Sequence, residues 1–131
     1  MNDLILALDF GGTKLSAALI AGAPVDDNPR WLDLRREWTP AGAAAERELA
    51  TMLRLAHEML GGRAPAAVGV SFGGPVDYAA GVVRLSHHVA GWENFPLQAR
   101  LQATFGAPAV VDNDANVAAL GEYRFGAGRG A

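Results

Sequence analysis

The chain has 131 residues, the length of one ordinary domain, and half of them are hydrophobic against 19% charged, which excludes a disordered segment and predicts a single buried core. A formal net charge of -3 and scattered arginines exclude a broad basic surface, so nucleic acid is not an expected partner. The lack of cysteine excludes a disulfide framework or thiolate metal site within the chain and is compatible with a reducing cytoplasm. The opening MNDLILALDF carries no basic leader and its apolar run is broken by Asp9, so neither a signal peptide nor a membrane span is expected and a cytoplasmic protein is.

Residues 4–10 (LILALDF) form a nearly continuous apolar run that predicts a strand buried on both faces, stopped by Gly11 and Gly12. A second run, residues 15–20 (LSAALI), follows at once, so the pair reads as an antiparallel hairpin with Thr13 and Lys14 at the turn. After a Pro/Gly/Asp/Asn-rich loop, residues 31–38 mix charge with tryptophan and predict an outer strand. Thr39-Pro40 matches an N-cap followed by proline at the first helical position. Leu49, Met52, Leu53, Ala56 and Leu60 then share one helical face, which Gly61-Gly62 ends. His57 falls near the exposed side of that helix and is expected to be solvated.

Residues 66–72 (AAVGVSF) predict another buried strand, turned by Gly73-Gly74-Pro75. Residues 82–85 lie in a loop, and Pro96 opens a short helix with Leu97, Leu101 and Phe105 on one face and Gly106 at its end. Residues 109–111 form a short strand, and Asp112-Asn113-Asp114 hands over to a helix, 115–125. The predicted class is α/β: a mixed sheet flanked by helices, with an antiparallel hairpin at the N-terminus.

Three segments carry chemistry. In Asp9-Phe10-Gly11-Gly12-Thr13-Lys14, glycines let backbone N–H groups approach an anion, the threonine hydroxyl adds a donor, and a carboxylate at the strand end can hold a hydrated Mg²⁺. Lys14 is the sole lysine of the chain. The same pattern also suits a plain glycine hairpin turn. It is neither a G-x-x-x-x-G-K-[ST] loop nor a G-x-G-x-x-G loop opening a helix, because a strand follows the glycines. Asp112-Asn113-Asp114-Ala115-Asn116 gathers carboxylates and amides at a strand's carboxyl end, where open sheets bind ligands, although one of these residues could equally be a helix cap. In Ser71-Phe72-Gly73-Gly74-Pro75-Val76-Asp77 the glycines could let a ligand lie on the backbone or could simply make a turn. Ser86-His87-His88 has no evident further ligands for a metal.

Taken together, LALDFGGTKLSAALI, GVSFGGPVD, GVVRLSHHVAGWENFPL and VVDNDANVAALGEYRFGAGRG closely resemble the ROK family of sugar kinases and sugar-responsive repressors, in order and over nearly the whole chain. The resemblance implies a ribonuclease-H-like (actin-like ATPase) fold, with residues 1–131 as the N-terminal domain of a two-domain sugar kinase whose C-terminal domain is absent. It implies ATP and Mg²⁺ as cofactors, a hexose as substrate, and a structural zinc only in the missing part. By the same resemblance Gly11, Gly12, Thr13 and Lys14 bind phosphate, with Asp9 holding Mg²⁺ through water. Asp114 is the catalytic base, Asn113 and Asp114 bind the sugar, and Gly74 and His87 fall in sugar-contact segments. Glu122 is expected on a helix surface. The reaction implied is phosphoryl transfer to a hexose, with glucose and its 6-hydroxyl as the expected acceptor. The isolated chain is expected to turn over little or nothing, and an apolar flank left by the missing half would invite homo-oligomers.

Two other readings stay open at this stage. One is a sugar-sensing regulator or non-catalytic sugar-binding module of the same family; the regulators carry a helix-turn-helix before the first strand, whereas this strand starts within a few residues of Met1. A ribonuclease-H-like nuclease would gather Asp9, Asp112 and Asp114 around two metals.

Overall fold

The computed structural model describes residues 3–22, 30–39 and 42–116. Its centre is a five-stranded sheet made of β1 (Asp3–Phe10), β2 (Lys14–Gly22), β3 (Arg30–Trp38), β4 (Ala67–Phe72) and the last described strand, β7 (Ala109–Asn113), in the order β3-β2-β1-β4-β7. The first three strands pair antiparallel, and β4 and β7 then add parallel to β1. Two short strands, β5 (Val76–Asp77) and β6 (Val82–Val83), form a separate ribbon where the sequence suggested only loop.

Alternation along the strands divides the sheet into two unlike faces. Leu6, Leu8, Phe10, Leu15, Ala17, Leu19, Val68, Val70, Phe72, Ala109 and Val111 point one way and are buried. They pack against α1 (Ala45–Leu60) and α2 (Leu97–Phe105), whose Leu49, Met52, Leu60, Leu97 and Leu101 belong to the same core cluster. The two helices also touch each other, with the Phe105 ring 5.3 Å from His57 and Arg100 bonded to Glu46. The opposite face carries Ala7, Asp9, Ser16, Ala18, Gly69, Ser71, Val110 and Asp112, which line a depression of about 800 Å³.

β3 is an edge strand, as its composition predicts. It is irregular: Leu19 pairs with Asp33 but Ile20 pairs with Trp31, so Leu32 is an extra residue at a bulge. The bulge shifts the strand's alternation by one and turns Trp31 onto the same face as Leu34, and both line the depression. Beyond it, Asp33, Arg35 and Glu37 face the helices, where Arg54 bonds Glu37 at 2.6 Å and Glu58 at 3.2 Å.

The N-cap expected at Thr39 is not formed, and Pro40 lies outside the described residues. The cap of α1 is Ala44, without a side-chain bond, because both polar groups of Thr39 are engaged elsewhere. Its N–H donates to the Thr13 carbonyl and its hydroxyl to Glu48. The first N–H of α1 is instead satisfied by the Ala90 carbonyl. Both helices end as predicted, at Gly61 and Gly106, each in the left-handed conformation that glycine adopts without strain. His57 is exposed, as expected. β7 runs two residues past its predicted end and so includes Asp112 and Asn113, and helical conformation begins at 114. The remainder of the helix expected at 115–125, with Glu122, lies outside the described residues.

Candidate active site

Strand register collects the polar residues of the open face onto one line. Asp9 pairs with Ser16 on one side and with Ser71 on the other, and Ser71 pairs with Asp112. The resulting rung, Ser16–Asp9–Ser71–Asp112, crosses four strands at the carboxyl ends of β1, β4 and β7, where an open sheet offers its ligand crevice. The next rung inward is Ala18–Ala7–Gly69–Val110, which gives the depression a floor of mostly small side chains.

The glycine hairpin closes over this end of the sheet. The Gly11 N–H donates to the Lys14 carbonyl at 2.9 Å, and a side chain on Gly11 would begin 2.9 Å from that oxygen. Close approach of backbone, not a positive φ, is therefore what demands glycine here. Gly12 faces His88, whose ring carbon lies 3.2 Å from where a side chain would start. Lys14 stands opposite Trp38 in the β2–β3 register, its ammonium 5.0 Å from the ring centre.

At the other wall, the acidic turn is organised by its own side chains. Asn113 caps the helical turn, its Oδ1 accepting from the Asn116 N–H at 2.8 Å, which leaves its amide NH₂ free of that bond. Asp112 Oδ1 accepts from the Asn113 N–H and from Asn116 Nδ2. Asp114 is exposed and lines the depression together with Asp9 and Gly11.

Gly73 joins the two walls. Its N–H donates to the Phe10 carbonyl, and a side chain there would begin 3.2 Å from that oxygen, 3.7 Å from the Gly12 nitrogen and 3.8 Å from Asp114 Oδ2. The hairpin and the Asp114 carboxylate thus lie on the same side of the sheet, with only a glycine backbone between them. Gly74, singled out from the sequence, instead backs onto Leu85, whose carbonyl oxygen would lie 2.6 Å from an added side chain.

Asp9 itself is held above the ordinary carboxylate pKa of 3.8. Desolvation by the surrounding sheet raises it, a hydrogen bond with Ser71 works the other way, and the negative charge of Asp114 adds to the rise. Among the described residues no three His, Asp or Glu side chains come together as a metal cage. His87 is exposed on the loop after β6. Its neighbour His88, which sequence reasoning left unassigned, is the histidine that meets the hairpin. Only the doublet itself hinted at this, since nothing in the local pattern says which ring meets Gly12.

A model described as the ROK family matches residues 5–131. The chain is 38% identical over 126 residues to the bifunctional enzyme NanE/NanK of Brucella melitensis biotype 1, covering 96% of this chain and 23% of that protein. It is 34% identical over 131 residues to the glucokinase of Streptomyces coelicolor, covering 97% and 38%. The structure is similar to a ROK family glucokinase from Streptomyces griseus in complex with glucose and AMPPNP, with a TM-score of 0.79, 35% identity and coverage of 97% and 38%. The chain therefore spans well under half the length of these relatives. No helix among the described residues is long and apolar enough to cross a membrane.

Proposed function

The chain belongs to the ROK family and has its actin-like fold, and from that premise we propose that it forms the N-terminal, phosphate-gripping and sugar-contacting half of an ATP-dependent hexose kinase. The observation that carries this reading is the juxtaposition of Asp114 and the glycine hairpin across Gly73. A phosphoryl group passed between donor and acceptor must be steadied by N–H donors on one side while a base receives the acceptor's proton on the other.

In this reading Asp114 accepts the proton of the attacking hydroxyl, which we assign to the 6-hydroxyl of glucose. Asn113, fixed by its cap, keeps its amide NH₂ for a neighbouring sugar hydroxyl. His87, and with less support from its packing Gly74, lie in the segments assigned to sugar contact. Gly11, Gly12, Thr13 and Lys14 receive the phosphates of ATP. The single exposed carboxylate of Asp9 fits a hydrated Mg²⁺ held through water, not a cage of protein ligands. When bound, that ion would neutralise phosphate charge. Asp9 would orient it, and Ser71 would orient Asp9.

The test is hexose-dependent ADP release in two settings: the purified chain, and a chimera in which residues 1–131 replace the matching part of the Streptomyces coelicolor glucokinase. We expect little or no turnover from the first and clear turnover from the second, with glucose preferred over N-acetylmannosamine. A folded chimera that binds neither hexose nor nucleotide sinks the reading, and one that binds hexose without transfer points to a sugar sensor.

A further inference from the structure

Glu48 is the one charged side chain among the described residues that is almost wholly buried, at 3% exposure. It sits in the first turn of α1, where the helix dipole favours a negative charge. Its two carboxylate oxygens are shared between two separate segments. Oε2 accepts from the Thr39 hydroxyl at 3.0 Å, and Oε1 accepts from the Trp92 indole Nε1–H at 2.9 Å.

Each of those donors leads directly to one wall of the candidate site. Thr39 follows β3, and its N–H holds the Thr13 carbonyl of the glycine hairpin at 2.9 Å. Trp92 is fully buried, with its ring edge-on to Phe10 and Phe72, the residues immediately before Gly11 and Gly73. It also lies in the same loop as His87 and His88. That loop is pinned by the Ala45 N–H on the Ala90 carbonyl and by bonds from the His88 and Val89 N–H groups to Ser86 Oγ. The far end of the loop returns to the hairpin, where His88 packs on Gly12.

We infer that Glu48 is a positioning residue that ties the glycine hairpin to the His87–His88 loop and fixes the spacing between them. One carboxylate suits this task because it offers two rigidly linked acceptors and no donor, so both segments are set against one planar group. The role of that spacing in catalysis rests on the kinase reading above, whereas the geometry does not.

Nuclear magnetic resonance on the purified chain tests it without requiring turnover. The wild type should show contacts between the His88 ring and the Gly12 α-protons, a slowly exchanging Trp92 indole N–H, and a protected amide at position 39. Glu48→Gln keeps a carbonyl for Trp92 and an NH₂ that can donate to the Thr39 oxygen, so it should retain all three signals. Glu48→Met fills similar volume with no acceptor. It should stay folded by circular dichroism, lose the His88–Gly12 contact and exchange its Trp92 indole proton roughly tenfold faster.

If Glu48→Met does not fold, Thr39→Val decides. It removes only the hairpin arm and should speed exchange of the position-39 amide while the Trp92 indole stays protected. A folded Glu48→Met that keeps the His88–Gly12 contact, or a Thr39→Val with unchanged exchange at position 39, overturns the inference. Titrating glucose and Mg²⁺–ADP into the chimera with the Streptomyces coelicolor glucokinase separates the two questions, because a folded chimera without ligand shifts counts against the kinase reading and leaves the contact measurement on the purified chain standing.

Discussion

Asp9 and Asp112 flank Ser71 on a single rung of the sheet, one on each neighbouring parallel strand. Two carboxylates are thereby carried to the same end of the sheet by backbone register alone, and the turn after Asp112 delivers the third, Asp114, into the same depression. The division of labour follows from surroundings. Asp9 and Asp114 are both exposed, but Asp9 is partly desolvated by the sheet and stands beside the Ser71 hydroxyl, whereas Asp112 is spent on Asn113 and Asn116.

Asp114→Asn should remove the base and leave the shape. In the chimera, kcat for hexose phosphorylation is expected to fall about 10²–10⁴-fold, the range for loss of a general base, with KM for the hexose changed only a few-fold. A loss confined to KM would assign Asp114 to binding alone.

Asp9→Asn should stabilise the chain near neutral pH. Because its folded pKa is raised, Asp9 favours folding fully only below the ordinary value of 3.8, and that contribution is lost as pH rises through the folded value. At neutral pH the wild type carries the whole penalty of a desolvated charge, and the asparagine does not. Urea midpoints should therefore favour Asp9→Asn near neutrality and converge below pH 3.8. Equal midpoints at neutral pH would contradict the raised pKa.

Two glycine substitutions should differ in sign. Gly11→Ala forces a methyl to 2.9 Å from the Lys14 carbonyl, a backbone atom that cannot yield without opening the hairpin. Its cost is expected at about 1–3 kcal/mol by denaturant unfolding. At Gly69 an added side chain would meet nothing within 4 Å, and the strand loses a flexible residue, so Gly69→Ala should be neutral or stabilising by up to ~1 kcal/mol.

Removal of the ion pairs on the helix side should matter far less than removal of core. Arg54 is half exposed despite its short bonds, so Arg54→Ala should shift stability by under about 1 kcal/mol, with the difference shrinking in added salt. Leu101, fully buried in α2, should cost about 2–5 kcal/mol as alanine. Thermal or urea unfolding of the two variants side by side checks the ranking.

The elements were largely legible in the sequence because their signals are local. Gly61 and Gly106 end helices through their own backbone freedom, and the aliphatic runs of β1, β2 and β4 declare burial by themselves. What stayed hidden depends on partners distant in the chain. The start of α1 was misread because Thr39 has the chemistry of a cap but spends it on Glu48 and Thr13. The rung that aligns Asp9 with Asp112 exists only once β4 is inserted between their strands. The hairpin and the acidic turn were recognisable as motifs. That Gly73 stands between them, and that His88 meets Gly12, are facts of packing.

The extra residue in β3 has a consequence for engineering and for aligning related chains. Trp31 and Trp38 are seven positions apart, so an unbroken strand would send them to opposite sides. The insertion at Leu32 puts both on the side that bears Asp9. Deleting Leu32 would therefore regularise the strand and leave Trp31 opposite Ile20 on that side, whereas straightening the strand with Leu32 retained would turn the Trp31 indole toward the α1 layer and strip one wall from the basin beside the candidate site.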